Sequence, residues 1–152
     1  MSYPVVNVAS YFLKRAANES RALTPMQLIK LCYLANGWHL GYLDAPLIDE
    51  PIESYVYGPN ITTLYNKIKK YGNGAVPPNP IQTLFSSFFP IKDDYSKKIM
   101  DSVFNSHVHF SGIQLSAMCH TVGTPWTKVP HNTIIPNELI KKYYIDKITI
   151  LP

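Results

Sequence analysis

The chain has 152 residues, 46% of them hydrophobic and 16% charged, with a net charge of +4. That length fits one ordinary domain over residues 1–152, with enough chain to bury a core without disulfide or metal staples. The charged fraction is well below the roughly 25% of average chains, which excludes a disordered polyelectrolyte and a solvating tail.

The basic residues do not gather into a phosphate track. Lys67, Lys69 and Lys70, then Lys97 and Lys98, then Lys141 and Lys142 fall on separate helical segments, which read as solvated faces, so no nucleic acid partner is predicted for this domain. Two cysteines, Cys32 and Cys119, make no disulfide framework. Met1-Ser2-Tyr3-Pro4 lacks a basic segment leading into an apolar one, so no signal peptide is expected. No apolar run approaches the length of a membrane span. The expectation is a cytoplasmic protein with reduced thiols and no membrane partner.

A first helix is predicted over Val6–Asn18, with Val8, Tyr11, Phe12 and Ala16 on one side. Thr24 is a good N-cap and Pro25 suits the first helical position of the second helix. Leu28, Leu31, Leu34, Ala35 and Trp38 recur there at helical spacing with Cys32 and Tyr33 between them, so this helix is apolar nearly all round and is expected to be central. Gly37 and Gly41 read as its fraying end. Over Ala45–Pro59 the helical period disappears. Ile52, Ser54 and Val56 alternate with Glu53, Tyr55 and Tyr57 between prolines, which predicts short extended segments. Gly58-Pro59 is expected to stop the chain and redirect it.

A third helix is predicted over Ile61–Tyr71, then a Gly-, Pro- and Asn-rich loop over residues 73–80. The apolar stretch Ile81–Pro90 has no clear period and is assigned to no element. A fourth helix is expected over Asp93–Ser106, its acids matching the helix dipole. Ser111 and Gln114 form a capping-box pattern opening a fifth helix to about Thr121. Gly123-Thr124-Pro125-Trp126 reads as a turn, Pro136–Tyr144 as a short last helix and Ile145–Leu151 as an extended tail.

Chemistry-bearing groups are sparse. His107, His109, Cys119 and His120 are the one set with metal-ligand or nucleophile character. Their spacing matches no closed zinc pattern, and adjacent helical residues such as Cys119 and His120 point about 100° apart. The ten acids include no acid–base pair of distinctive spacing, and Gly72-Asn73-Gly74 lacks the strand, lysine and hydroxyl of a phosphate loop. No enzyme activity, metal or cofactor is predicted; a small metal- or thiol-dependent hydrolase is the third alternative, ahead of DNA binding. What stands out is aromatic richness near turns: Tyr55, Tyr57, Trp126, Tyr143 and Tyr144, in a chain with 11 tyrosines. Such rings either anchor interfaces or plug gaps between elements.

Leu28–Trp38, then Pro46-Leu47, Glu50-Pro51-Ile52-Glu53 and Tyr57-Gly58-Pro59, together with Ser111–Leu115, His120, Pro125-Trp126 and Ile135–Tyr144, resemble in order and spacing the SocA-like family, also called the Panacea domain. The resemblance runs from about Val5 to Tyr144. Two departures lie at the turn: Ser54-Tyr55-Val56 where the family commonly has Ala-Trp and a basic or polar residue, and Asn60 where an aliphatic residue is usual.

The resemblance implies an α+β fold, mostly helical, with five or six helices around a central apolar helix and a small antiparallel β element. It also implies an antitoxin that neutralises a cognate toxin encoded nearby, in toxin–antitoxin pairs often carried by phages and prophages. The alternative it leaves open is a phage accessory protein or proteolytic adaptor that engages a host factor or a ClpXP-type protease. The residues expected at a partner-binding site are Tyr55, Tyr57, Gly58, Pro59, His120, Pro125 and Trp126.

Overall fold

A computed structural model describes residues 2–78 and 90–150. Among the described residues are six α-helices and a three-stranded antiparallel sheet, an α+β fold that is mostly helical. The stretch 81–89, assigned to no element from the sequence, lies outside the described residues, as does the end of the loop predicted over 73–80.

Helix α1 (Val5–Asn18) has no side-chain cap of its own; the Glu50 carboxylate accepts the Val5 N–H at 2.8 Å instead. A carboxylate here complements the positive end of the helix dipole. Helix α2 (Pro25–Leu43) opens as its sequence predicts. Thr24 accepts from the Gln27 N–H, and the Gln27 side chain returns to the Thr24 N–H.

Contrary to the sequence reading, α2 does not fray at Gly37 and Gly41. It runs on to Leu43 and ends on Asp44 in the left-handed conformation. Helix α6 (Asn137–Ile150) supplies the reason. It extends through the stretch read as an extended tail, Ile145 onward, because Tyr144 and Ile148, one turn apart, seat over Gly37 and Gly41, also one turn apart. Ridge-into-groove packing of this kind overrides the strand preference of the β-branched isoleucines. Tyr144, read as standing near an irregular segment, is therefore buried, and its hydroxyl shares a hydrogen bond with that of buried Tyr33.

Strands β1 (Ile52–Tyr55) and β2 (Gly58–Asn60) form a hairpin, with Tyr55 opposite Gly58. Here too the sequence reading needs correction: the chain reverses at Val56-Tyr57, and Gly58-Pro59 lies inside β2. Neither Val56 nor Tyr57 has positive φ, so the turn is not of the primed type that matches strand twist. Gly58 at φ +104° absorbs the mismatch in a conformation that residues with side chains rarely adopt. Pro59 is tolerated because β2 is an edge strand; β1 is central, and β3 (Ile134–Ile135) closes the other side.

Helix α3 (Thr62–Ile68) buries Leu64 and Ile68 and tightens into a 3₁₀ turn at Lys69–Tyr71. Helix α4 (Asp94–His107) is capped by Asp93, and α5 (Gly112–Cys119) by the Ser111–Gln114 box. Helix α2 packs against each of the other five helices and against β2. The buried apolar side chains form one cluster, from Val5 and Phe12 through Leu31 and Tyr33 to Phe104, Leu115 and Ile140.

Candidate functional site

Three side chains from three different elements hold the β1–β2 hairpin by its main-chain carbonyls. From the 3₁₀ turn at Pro125–Lys128, the Trp126 Nε1–H donates to the Tyr55 carbonyl at 2.6 Å. From α5, the Ser116 hydroxyl donates to the Tyr57 carbonyl. From α2, the Lys30 ammonium donates to the Pro59 carbonyl at 2.6 Å. Alternate carbonyls on both sides of the turn are thus satisfied by groups fixed in the helical body. At the base, the Ser54 hydroxyl donates to the Pro130 carbonyl at 2.7 Å.

All seven residues expected at the site gather on or against this hairpin. Tyr55, Tyr57, Gly58 and Pro59 build it. A Cβ at Gly58 would lie 3.3 Å from Lys30 Nζ and 3.4 Å from His120 Nδ1, so the strand comes down close onto those groups, and the φ of +104° strains any side chain there. The His120 ring is 5.2 Å from Trp126, which also meets His131 at 5.0 Å. Pro125 is buried at the start of the 3₁₀ turn and sets the approach of Trp126. The seven differ in what they present. Gly58, Pro59 and Pro125 are buried, and Tyr55, His120 and Trp126 are half-buried, whereas Tyr57 is 65% exposed. Beside it Val56 is 67% exposed. An exposed aliphatic–aromatic pair therefore crowns a turn held rigidly from below.

Sequence reading did not place Lys30 or Ser116 at the site, and it named Val56 and Asn60 as departures at the turn without giving them a role. Lys30 left a trace: it is the one charged residue inside the apolar run Leu28–Trp38, in which no residue is exposed. It is 3% exposed. Burial pulls its ammonium down to about 8, offset in small part by the neighbouring Cys119 thiol. Among the described residues no carboxylate lies within salt-bridge distance of it. Asn60 is 5% exposed, and among the described residues its buried amide Nδ2 has no acceptor and the buried His120 Nδ1 no partner.

The metal- and nucleophile-like residues do not converge. His107 Nδ1 bonds the Val103 carbonyl one turn back on α4, His109 is exposed, and His120 faces Trp126. Among the described residues no group of three or more His, Cys, Asp or Glu is placed to hold a metal. Burial pushes the Cys119 thiol up to about 11, against a smaller opposite pull from Lys30, which holds the sulfur in its poorly nucleophilic protonated form. No helix among the described residues is long and apolar enough to cross a membrane.

No curated protein and no solved structure matches the chain. A family model does, that of the antitoxin SocA-like, Panacea domain, over residues 28–127. This span is narrower than the motif resemblance from Val5 to Tyr144, yet it includes Lys30, the whole hairpin, Ser116, His120 and Trp126. With well over half its length matched, and with the hairpin and every side chain that holds it inside the match, the chain belongs to the antitoxin SocA-like, Panacea domain family.

Proposed function

We propose that this protein is an antitoxin that neutralises a toxin by direct contact, with the hairpin tip as the centre of the contact. Membership of an antitoxin-type family supports the role in general. The observation that carries the contact is the exposed Val56-Tyr57 pair on a turn whose flanking carbonyls are held by Trp126, Ser116 and Lys30. A rigid, aromatic-bearing turn loses little conformational entropy on docking, which is what an interface anchor requires. The toxin is expected to be encoded nearby. Coexpression with each neighbouring open reading frame tests this: one neighbour should be toxic alone and harmless beside this protein. Val56→Asp combined with Tyr57→Ala should abolish the rescue while leaving the helical circular dichroism intact. The reading falls if no neighbour is both toxic and rescued.

A second reading, an adaptor that hands the toxin to a ClpXP-type protease, draws support from a separate apolar groove between α2 and α4. It encloses about 580 Å³ and is lined by Trp38, Tyr42, Leu43, Tyr95 and Ile99. An adaptor needs two contact faces, and this groove lies on elements other than the hairpin. Under this reading the toxin is short-lived only where both the antitoxin and the protease are present. A toxin that is neutralised yet persists excludes it.

A further inference from the structure

A groove of about 360 Å³ runs between the hairpin tip, the start of α2 and the end of α3. Its walls are apolar: Met26, Ile29, Val56, Tyr57 and Tyr65. Lys30 and Lys69 line it, and among the described residues no carboxylate does. Lys69 and Lys70 at the end of α3 are exposed and add positive charge at the rim.

Two residues that line the groove, Lys30 and Asn60, carry buried polar groups short of acceptors. An ammonium has three N–H donors, and the Lys30 ammonium has the neutral Pro59 carbonyl as its hydrogen-bond acceptor among the described residues. The Asn60 Nδ2 has none. A buried donor without an acceptor is costly, and a buried cation without a counter-charge more so. A carboxylate is the group that would answer both, as a charge-assisted hydrogen bond in a low-dielectric setting. Phosphates of a nucleic acid fit less well, because they call for exposed basic side chains along a track, not for a cation set among apolar walls.

We infer that this groove receives an acidic segment of a partner protein, with an Asp or Glu side chain directed at Lys30 and Asn60 and an adjacent aromatic or aliphatic side chain lying between Ile29 and Tyr57. The inference rests on the antitoxin reading in taking that segment to be the toxin's.

The test needs no toxin in hand. Random dodecapeptides displayed by their C-terminal fusion, and so without a free terminal carboxylate, are selected on the full chain. The selected sequences are then made in acetylated, amidated form and titrated by fluorescence anisotropy. Asp or Glu next to a large apolar residue should be enriched. Lys30→Met, Asn60→Leu and Lys69→Glu should each weaken binding, the first by about tenfold or more. Replacing the peptide's Glu by Gln should cost little further in the Lys30→Met background, since the two changes remove one interaction. Lys69→Glu changes an exposed residue and Asn60→Leu an uncharged one, so the result does not depend on how well Lys30→Met folds. A selection with no acidic enrichment, peptides indifferent to all three substitutions, or tighter binding of a single-stranded oligonucleotide than of any peptide overturns the inference. A failed toxin rescue with a positive peptide result sinks the antitoxin reading alone. A successful rescue that Lys30→Met, Asn60→Leu and Lys69→Glu all leave untouched sinks the groove alone.

Discussion

Gly37 and Tyr144 occupy the same space: a Cβ built at Gly37 would lie 2.2 Å from Tyr144 Cε2. The aromatic ring takes the place of a side chain in the middle of α2, and α6 docks through it. Gly37→Ala therefore sets two effects against each other. Helix propensity favours alanine by about 1 kcal/mol. Overpacking against a ring that is itself buried costs about 1–3 kcal/mol, and the overlap here is deep. Net destabilisation is expected, read as a fall in Tm of several degrees at about 2–4 °C per kcal/mol. Gly41→Ala, whose Cβ would lie 3.0 Å from Tyr144 Cβ, should cost less. Adding Tyr144→Leu to Gly37→Ala should cost less than the sum of the two single changes. Additive losses would show that the ring does not fill the glycine's space.

The same pair shows where sequence reading succeeds and stops. Caps are local, so Thr24, Ser111 and Asp93 were legible as helix starts from the residues alone. Helix ends set by a distant partner were not. Gly37 and Gly41 look like breakers until Tyr144 and Ile148 lie on them, and Ile145–Ile150 looks extended until the same packing holds it helical. At the site, the aromatic and Gly-Pro residues were visible as unusual types near turns. Lys30 and Ser116 act through main-chain carbonyls, which every residue has, so their targets leave no mark in the sequence.

Lys30 gives a pH signature. Its ammonium falls from 10.5 to about 8 on folding because burial disfavours the charge. Between those values the unfolded chain binds more protons than the folded one, so stability rises with pH across the window, by on the order of 3 kcal/mol in full. The facing Cys119 thiol, raised from 9.0 to about 11, works in the opposite direction at the upper end. The wild-type minus Lys30→Met difference, from urea melts at intervals between pH 7 and 10, isolates the lysine. It should climb in favour of wild type above pH 8. At pH 7 the substitution exchanges a lost Pro59 hydrogen bond for a relieved burial penalty, so little net loss is expected. A flat difference curve would mean that the amine is solvated in the folded state.

His39 is poised with the opposite experimental sense, towards acid. Its Nδ1 lies 2.6 Å from the Ala45 carbonyl and therefore carries a proton, and Nε2 is 2.9 Å from the Ser96 hydroxyl, itself 2.8 Å from Asp93 Oδ2. Burial lowers the His39 pKa below 6.5, against smaller raising effects of the Ala45 carbonyl and the Asp93 charge. As pH falls through 6.5 the unfolded chain takes up the proton first, so the folded state loses stability on acidification until His39 itself protonates. His107, lowered by burial, adds to that slope; Glu50, raised by burial, opposes it at lower pH. His39→Gln should therefore flatten the fall in stability between pH 7 and 5 without abolishing it. An unchanged slope would place His39 outside the titration.

Trp126 and Tyr57 separate support from contact. The Trp126 indole holds the Tyr55 carbonyl at 2.6 Å and lies against the His120 ring, tilted to it by 51°. Trp126→Phe keeps a ring there but leaves the carbonyl without its donor, which should cost about 1–3 kcal/mol. It should also loosen the turn, seen as faster amide hydrogen exchange at Val56 and Gly58. Tyr57 is 65% exposed and its side chain makes no hydrogen bond among the described residues, so Tyr57→Ala should stay within about 0.5 kcal/mol of wild type. A partner read by a pre-set turn would then feel both substitutions for different reasons. Tyr57→Ala would act through lost contact area and raise the dissociation rate at full stability. Trp126→Phe would act through the ordering that docking must now supply, and stabilising the turn by other means should recover part of its loss. If Tyr57→Ala instead lowered stability as much as Trp126→Phe, the tip would be part of the core, and the hairpin would have no free face to offer.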